Sequence, residues 1–364
     1  MKNTFGNSIS VTVFGESHGA AIGAVIDGLA AGIPVSDDRI KSELLRRRPS
    51  SAIDTPRREA DNFQIISGVF NGKTTGTPIT IIIPNENTKS GDYTYGIARP
   101  SHADYAGFCK YHGFEDYRGG GHFSGRITAA IVAAGGILLP ALENLGIKIG
   151  THILKCADLA DDGFDNYEKD IDALRSAEFP TISKICGEKI IEKISETAKE
   201  GDSIGGITQT AIFGIPKGVG EPFFDSVEGM LSHALFAIGG IKGVEFGKGF
   251  GFADCVGSEC NDAFRIKDGN IVTATNNNGG INGGITNGMP ILLNCAVKPT
   301  PSISKAQKTV DFIKSENTEI SVKGRHDPAI IRRICPVIDS ICAIVTADLL
   351  AGRFGTDIFL KGEK

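Results

Sequence analysis

The chain has 364 residues, 38 Lys and Arg against 43 Asp and Glu, and a formal net charge of −5. That balance removes the overall basic footprint of a nucleic-acid-binding protein, and the absence of tryptophan with only 7% aromatic residues leaves little to stack on single strands. Apolar residues at 41% and charged residues at 22% support a large buried core and exclude a disordered chain, while 47 glycines, nearly twice the usual ~7%, show no collagen period and predict many tight turns.

In chain order, the first ten residues hold one lysine and no apolar run, so no signal peptide is expected. No stretch offers ~18 uninterrupted apolar residues, so neither a membrane span nor a membrane partner is expected, and the cytoplasm is the expected location. Short strand patterns fall at 9–14 and 24–29. A helix is predicted from Asp37 to about Arg48, with Ser36 as N-cap, acids in its first turn and arginines in its last. A strand follows at 79–83. A helix is predicted to start near Ser101, where Ser101 and Asp104 form an S-x-x-D capping box. A long apolar helix follows Ser124 and reaches about Leu145. The polar stretch 157–184 reads as an excursion. Helices at about 188–199 and 224–237 bracket a strand at 208–213, and another strand lies at 291–297. The last helix is predicted from Asp327–Pro328, an N-cap followed by proline at N1, to about Leu350.

Two of these helices, 127–142 and 330–350, are apolar nearly all round and must be covered on more than one side. Regular helical crossovers between strands are missing, so a doubly wound parallel sheet fits poorly. The expectation is an α+β protein with helices covered by sheets, and no Pro/Ser linker divides the chain. The eight cysteines are scattered without a C-x-x-C pair, and buried free thiols are the simplest account.

Five clusters could carry chemistry. Gly15-Glu16-Ser17-His18-Gly19 matches the G-x-S-x-G of a hydrolase nucleophile elbow, but that elbow needs strand–turn–helix, and here a second strand follows. A tight hairpin with a packed histidine and a histidine presented on a turn both remain open. Arg39, Lys41, Arg46, Arg47, Arg48, Arg57 and Arg58 face only Glu43 and Asp54 over 39–58, either as a solvated helix end or as a guanidinium clamp for an anion. His102 lies at a predicted helix start, where the dipole disfavours an imidazolium. Arg118-Gly119-Gly120-Gly121-His122-Phe123-Ser124-Gly125-Arg126 is a glycine loop entering a helix, either a phosphate cradle flanked by arginines or a simple loop. The fifth cluster combines Gly279–Gly288, Lys298-Pro299-Thr300-Pro301-Ser302 and Gly324-Arg325-His326-Asp327-Pro328. No H-E-x-x-H, EF-hand loop or cysteine ligand set occurs, so no intrinsic metal is expected. Together these clusters suggest acid–base chemistry on a small polyanion.

At these motifs the chain resembles the chorismate synthase family, in order and over almost its whole length, 1–364. The resemblance implies one large α+β domain with helices sandwiched between antiparallel sheets, assembled as a homotetramer. It implies a lyase of the shikimate pathway, in aromatic amino acid biosynthesis, that eliminates phosphate and a ring proton from 5-enolpyruvylshikimate 3-phosphate to give chorismate. Reduced FMN is the implied cofactor, with NADPH or a separate flavin reductase as the source of electrons. By position, His18 resembles the acid that protonates the leaving phosphate and His102 the histidine beside the flavin. Asp327 resembles the carboxylate linked to proton removal, with Ser17 and Ser124 in support. Arg47, Arg48, Arg118 and Arg126 would bind substrate or NADP. Flavin contacts would come from His122, Phe123, Ser124, Gly239, Gly240, Gly283, Lys298, Pro299, Thr300, Pro301, Ser302 and Arg325. The chain departs from the family at His122-Phe123, where Arg-Ser is common, and at Gly239-Gly240, where Asn-Ala is common. The same chemistry with a different flavin grip is expected. A flavin carrier without elimination activity is the alternative.

Overall fold

The computed structural model describes residues 2–49, 53–54, 60–86, 94–321 and 327–363. Two five-stranded antiparallel sheets enclose a helical layer. The first has the order β1-β2-β3-β7-β4, from β1 (Thr4–Phe5), β2 (Ser10–Gly15), β3 (Ala21–Asp27), β4 (Gln64–Ser67) and β7 (Ile79–Pro84). The second has the order β11-β16-β10-β8-β9, from β8 (Lys148–Cys156), β9 (Leu159–Ala160), β10 (Gly206–Phe213), β11 (Ile241–Phe246) and β16 (Ile291–Val297). Two-stranded ribbons are β5–β6 (Val69–Phe70, Lys73–Thr74), β12–β13 (Phe264–Lys267, Asn270–Thr273), β14–β15 (Ile281–Asn282, Ile285–Thr286) and β17–β18 (Gln307–Asp311, Glu316–Ile320). The helices are α1 (Asp37–Arg47), α2 (Asp104–Tyr111), α3 (Thr128–Glu143), α4 (Tyr167–Ser176), α5 (Lys184–Lys199), α6 (Val227–Leu235), the short α7 (Gly257–Cys260) and α8 (Ile331–Phe354).

Helix α3 packs on β3 and β7, α8 packs on β8 and β10, and the two helices pack on each other. Their sequences dictate this. A helix apolar on every side can satisfy its surface only between two other layers. On α3, Ile137, Leu138 and Leu142 are essentially inaccessible, each contributing roughly 1.5–3 kcal/mol by burial. Adjacent glycines let the layer close. A Cβ at Gly135 would stand 2.9 Å from Ser340 Cα on α8, and one at Gly136 would stand 2.7 Å from Ile40 Cα on α1. By length and composition, 125–143 and α8 would each span a membrane, which the unbroken-run criterion missed; 78% and 94% of them are buried inside the protein.

Helix α1 follows its sequence signals. Ser36 accepts from Arg39 N–H at 3.3 Å, Asp37 and Asp38 occupy the first turn, and Ile40 and Leu44 face the core. In β7 the alternation puts Ile79, Ile81 and Ile83 inward. Other starts differ from expectation. Helix α2 begins at Asp104 after Ala103, without a side-chain cap. Ser101 sits in the left-handed region (φ 58°), and Asp104 is taken by Arg99 instead, so no capping box forms. Helix α8 begins at Ile331 after Ile330, so Asp327 does not cap it. The predicted 224–237 helix is a tight turn, Phe223–Asp225, followed by α6 with Ser226 as cap. The 157–184 excursion contains β9 and α4. Of the cysteines, Cys109 is exposed and Cys186 and Cys255 are half-buried; the other five are buried.

Helix α8 also carries polar groups that an apolar reading overlooks. Asp348 accepts the N–H groups of Asn7, Ser8 and Ile9 at 2.7–3.0 Å, fastening the entry to β2. Asp339 and Glu43, both buried, share Arg46 at 2.9 and 2.7 Å. A buried charge must be paired, so this trio fixes how α1 meets α8.

Candidate active site

Strands β2 and β3 pair from Ser10↔Asp27 to Gly15↔Ile22, and the turn between them carries Ser17 and His18. This is strand–turn–strand, not the strand–turn–helix of a hydrolase elbow. Both side chains are buried. The Ser17 hydroxyl lies 3.1 Å from Gly119 O and 3.2 Å from Arg118 O, acceptors that claim its single proton. It therefore accepts from His18 Nδ1–H at 3.0 Å, which fixes the ring.

The glycine loop closes over this turn. Gly119, Gly120 and Gly121 all have positive φ (60°, 78° and 52°), so they form an irregular turn separated from α3 by Ser124 and the short turn Gly125–Ile127. Gly119 has a second reason to be glycine: a Cβ there would stand 2.6 Å from Ser17 Oγ and closer still to the His18 ring. Gly121 O accepts from Ser17 N–H at 3.1 Å, and His122 Nδ1–H donates to Gly15 O at 2.7 Å. Beside the turn, Arg118 grips Asp116 through two bonds of 2.7 and 2.9 Å. The Arg118 hydrogen bonds hold the Asp116 carboxyl below its usual range, and the nearby His18 acts in the same direction.

His102 has the opposite surroundings. It precedes α2, and its Nδ1–H donates to Pro100 O at 3.1 Å, so Nε2 accepts from the Ser302 hydroxyl at 3.0 Å. Burial, with the charge of Arg99 next, pushes the imidazole down to about 4. The ring is therefore neutral at physiological pH. The direction agrees with the sequence reading, but the cause is desolvation and a guanidinium, not a helix dipole. Arg99 is bidentate to Asp104 at 2.7 and 2.8 Å, and Lys298 donates to Ser101 O at 2.8 Å. Burial pulls the Lys298 ammonium below its ordinary value.

A separate cleft is lined by neither histidine. Its walls include Arg47, Arg48, Asp61, Ser124, Gly125, Arg126, Gly239, Asp327 and Arg333. Four arginines face two aspartates, an excess of two positive charges in a chain of net −5. The expected basic cluster has split. Arg39 and Arg46 turn into ion pairs with Glu43, Glu143 and Asp339, while Arg47 and Arg48 reach the cleft; Arg57 and Arg58 lie outside the described residues. Arg47 is buried and donates to Thr128 Oγ1 (2.9 Å), Gly125 O (3.1 Å) and Asp61 (3.3 Å). Arg126 also donates to Asp61, and to Asn85 Oδ1 at 3.1 Å. Asn85 in turn donates to Glu16 O and Gly19 O, both at 2.9 Å, so it ties the His18 turn to the cleft. These arginines are pre-set struts, not loose surface charges.

With that geometry in view, comparison with known proteins is informative. The chorismate synthase family model matches residues 9–351. Curated relatives named chorismate synthase include those of Methanosarcina barkeri, 45% identical over 349 residues (95% of each chain), and Methanobrevibacter smithii, 46% identical over 355 residues (96% of each). The chain belongs to the chorismate synthase family. It is accordingly an enzyme. A crystal structure of chorismate synthase, 29% identical, matches the fold with a TM-score of 0.78 over 98% of this chain and 96% of that one.

Of the residues expected from the family motifs, some meet the glycine loop and others line the cleft. Gly119 abuts His18, Gly120 faces Arg99, and Ser124 and Arg126 line the cleft. The 298–302 loop joins through Lys298 N–H, which donates to Gly240 O at 2.9 Å, and through Ser302. Pro301 O accepts from Gln307, and Pro299 packs near Gly205. Phe123 is half-exposed and leans on Gly107 of α2. Gly283 stands apart. Its ribbon packs on Ser226, at the N-terminal end of α6, whereas Gly239 and Gly240 follow the C-terminal end. Arg325 and His326 lie outside the described residues. Asp61, Asn85 and Arg333 were missed by sequence reasoning. Their neighbours are remote in sequence, and the one available signal was the like-charge pair Arg332-Arg333 at a helix start.

Proposed function

We propose that this member of the chorismate synthase family is a carbon–oxygen lyase acting on phosphate. It would convert 5-enolpyruvylshikimate 3-phosphate to chorismate by anti-1,4-elimination in the shikimate pathway. The observation that supports this best is a cationic cleft that holds Asp327 and is tied through Asn85 to the turn carrying the serine-oriented His18. The arginine excess suits a substrate with a phosphate and carboxylates. In this reading His18, doubly protonated with its Nδ1–H held by Ser17, delivers its Nε2 proton to the phosphate oxygen as the C–O bond breaks. General acid assistance of this kind is typically worth about 10²–10⁴-fold. Asp327 takes part in removal of the ring proton, and Arg47 and Arg126 hold the anion-binding wall in shape.

The residues present fit a flavin. Thr300 Oγ1 is buried with no hydrogen-bond partner among the described residues, Gly239 has open space around it, and Lys298 and Ser302 stand beside neutral His102. These groups and the Ser124 turn would hold reduced FMN, with Arg325 as a further expected contact. When bound, reduced FMN supplies an electron-rich partner for an elimination that is redox-neutral overall. Neutral His102 keeps a second positive charge away from that face. NADPH or an outside reductase as electron source, a homotetramer and a cytoplasmic location belong to the same reading.

The test is an anaerobic assay with the full chain, enolpyruvylshikimate phosphate and chemically reduced FMN, following chorismate absorbance. Product formation is expected. Folded protein that binds FMN and yields none would overturn the lyase reading in favour of a carrier.

A further inference from the structure

Helix α1 ends with carbonyls that have no partner inside the helix, as every helix does. The first turn of α8 supplies two adjacent arginines to them. Arg332 donates to Arg48 O at 2.9 Å and pairs with Asp54 at 2.5 Å. Arg333 donates from Nε to Arg47 O at 3.0 Å and from Nη1 to Asp327. The two guanidiniums diverge, so neighbouring residues fasten different carboxylates to the same helix end. Arg333 and Asp327 both line the cleft and are largely buried, with side chains 18% and 13% exposed.

Asp327 needs such a partner. It does not cap α8, so the helix start does not fix its side chain. The remaining charged groups on the cleft wall are Arg47, Arg48, Arg126 and Asp61, and Asp61 is gripped by Arg47 and Arg126. Arg333 bridges the end of α1 and Asp327. A guanidinium can do this because its fork holds a carbonyl and a carboxylate at once, each bond fixing the other's direction. A lysine ammonium carries the charge on a flexible stem without that fork.

We propose that Arg333 is a positioning residue for Asp327, using the end of α1 as an anchor to aim that carboxylate into the cleft. The proposal rests on the reading of Asp327 as a participant in proton removal. Arg333 acts through Asp327 and does not itself bind the substrate anion.

The test is a double-mutant cycle on the full-length enzyme with reduced FMN, read by single-turnover rate, kcat and KM. Arg333→Met is expected to lower kcat about 10- to 100-fold with KM within about threefold, the range set by a misplaced catalytic group. Arg333→Lys is expected to recover only part of that loss. The double variant with Asp327→Asn is expected to be no slower than Asp327→Asn alone, because interacting residues are not additive. Losses that multiply in the double variant would overturn the proposal, as would full activity in Arg333→Lys. A tenfold weaker substrate affinity by calorimetry in Arg333→Met would also overturn it, making Arg333 an anion ligand. If Arg333→Met does not fold, the lysine variant and its cycle with Asp327→Asn decide alone. Wild-type turnover in Asp327→Asn would sink the reading of Asp327 itself, a result distinct from multiplying losses.

Discussion

His18 and His102 are each oriented by a serine hydroxyl, yet through different ring nitrogens and in opposite directions. His18 Nδ1–H donates to Ser17, on a turn beside the Arg118–Asp116 pair. His102 is walled by Arg99 and Lys298, with Asp104 already absorbed by Arg99. The surroundings of His102 keep its ring neutral. In the proposed function the two imidazoles take different tasks, a proton donor and a neutral hydrogen-bonding wall.

The largest expected effect tests the donor side. His18→Ala should slow single-turnover elimination by about 10²–10⁴-fold while leaving FMN binding nearly intact. His102→Ala should instead disturb flavin binding and its spectrum. Equal losses of turnover with unchanged flavin properties in both variants would erase the distinction. Next comes the glycine loop against His18. Gly119→Ala places a methyl against the His18 ring and Ser17 Oγ, at a φ of 60° that costs an L-residue roughly 1–2 kcal/mol. A loss of turnover of about 10–100-fold is expected from the displaced imidazole. Gly120→Ala is the comparison: it shares the strained backbone at φ 78°, but the atom nearest the added Cβ, Arg99 Nη2, lies at an ordinary 3.7 Å. A smaller loss than in Gly119→Ala is expected there, and a comparable loss in both variants would mean that loop conformation, not contact with His18, is what the glycines supply.

The two histidines also show how far the sequence could be read. Element types followed local signals well where those signals had no competitor, as in α1 with Ser36 and its charged ends, or the Ile79–Ile81–Ile83 alternation. The misread starts share one cause. Ser101 and Asp327 had the right chemistry for caps, but Arg99 and Arg333 outbid the backbone for the two aspartates nearby, Asp104 and Asp327, and a charge-assisted bond is stronger than a neutral cap. The polar members of α8, such as Asp339 and Asp348, looked like interruptions of an apolar helix because their partners, Arg46 and the amides of 7–9, lie some 300 residues away. Site motifs were legible because each is short and local. What joins them, Asn85 between the His18 turn and Arg126 or Asp61 between two arginines, depends on the fold.

The smallest effect tests the neutral side, and its sign follows from linkage. Folded His102 titrates at about 4, below the ordinary histidine value of ~6.5. As pH falls through 6.5 the unfolded chain takes up this proton while the folded chain refuses it until about 4. Between those values the unfolded state binds more protons, so stability declines as pH drops, and His102's contribution, complete above about 6.5, is lost by about 4. Arg99→Met removes the largest cause after burial and also releases Asp104, whose negative charge favours the imidazolium. Both changes move His102 upward, which narrows the window. The fall in melting temperature from pH 6.5 to 4 should therefore be shallower in Arg99→Met than in the parent. In His102→Gln this contribution disappears, so the difference from the parent isolates it from the carboxylates that titrate lower. Proton NMR of the His102 ring gives the direct reading. A ring that still titrates near 4 in Arg99→Met would show that desolvation, not the neighbouring guanidinium, keeps it neutral.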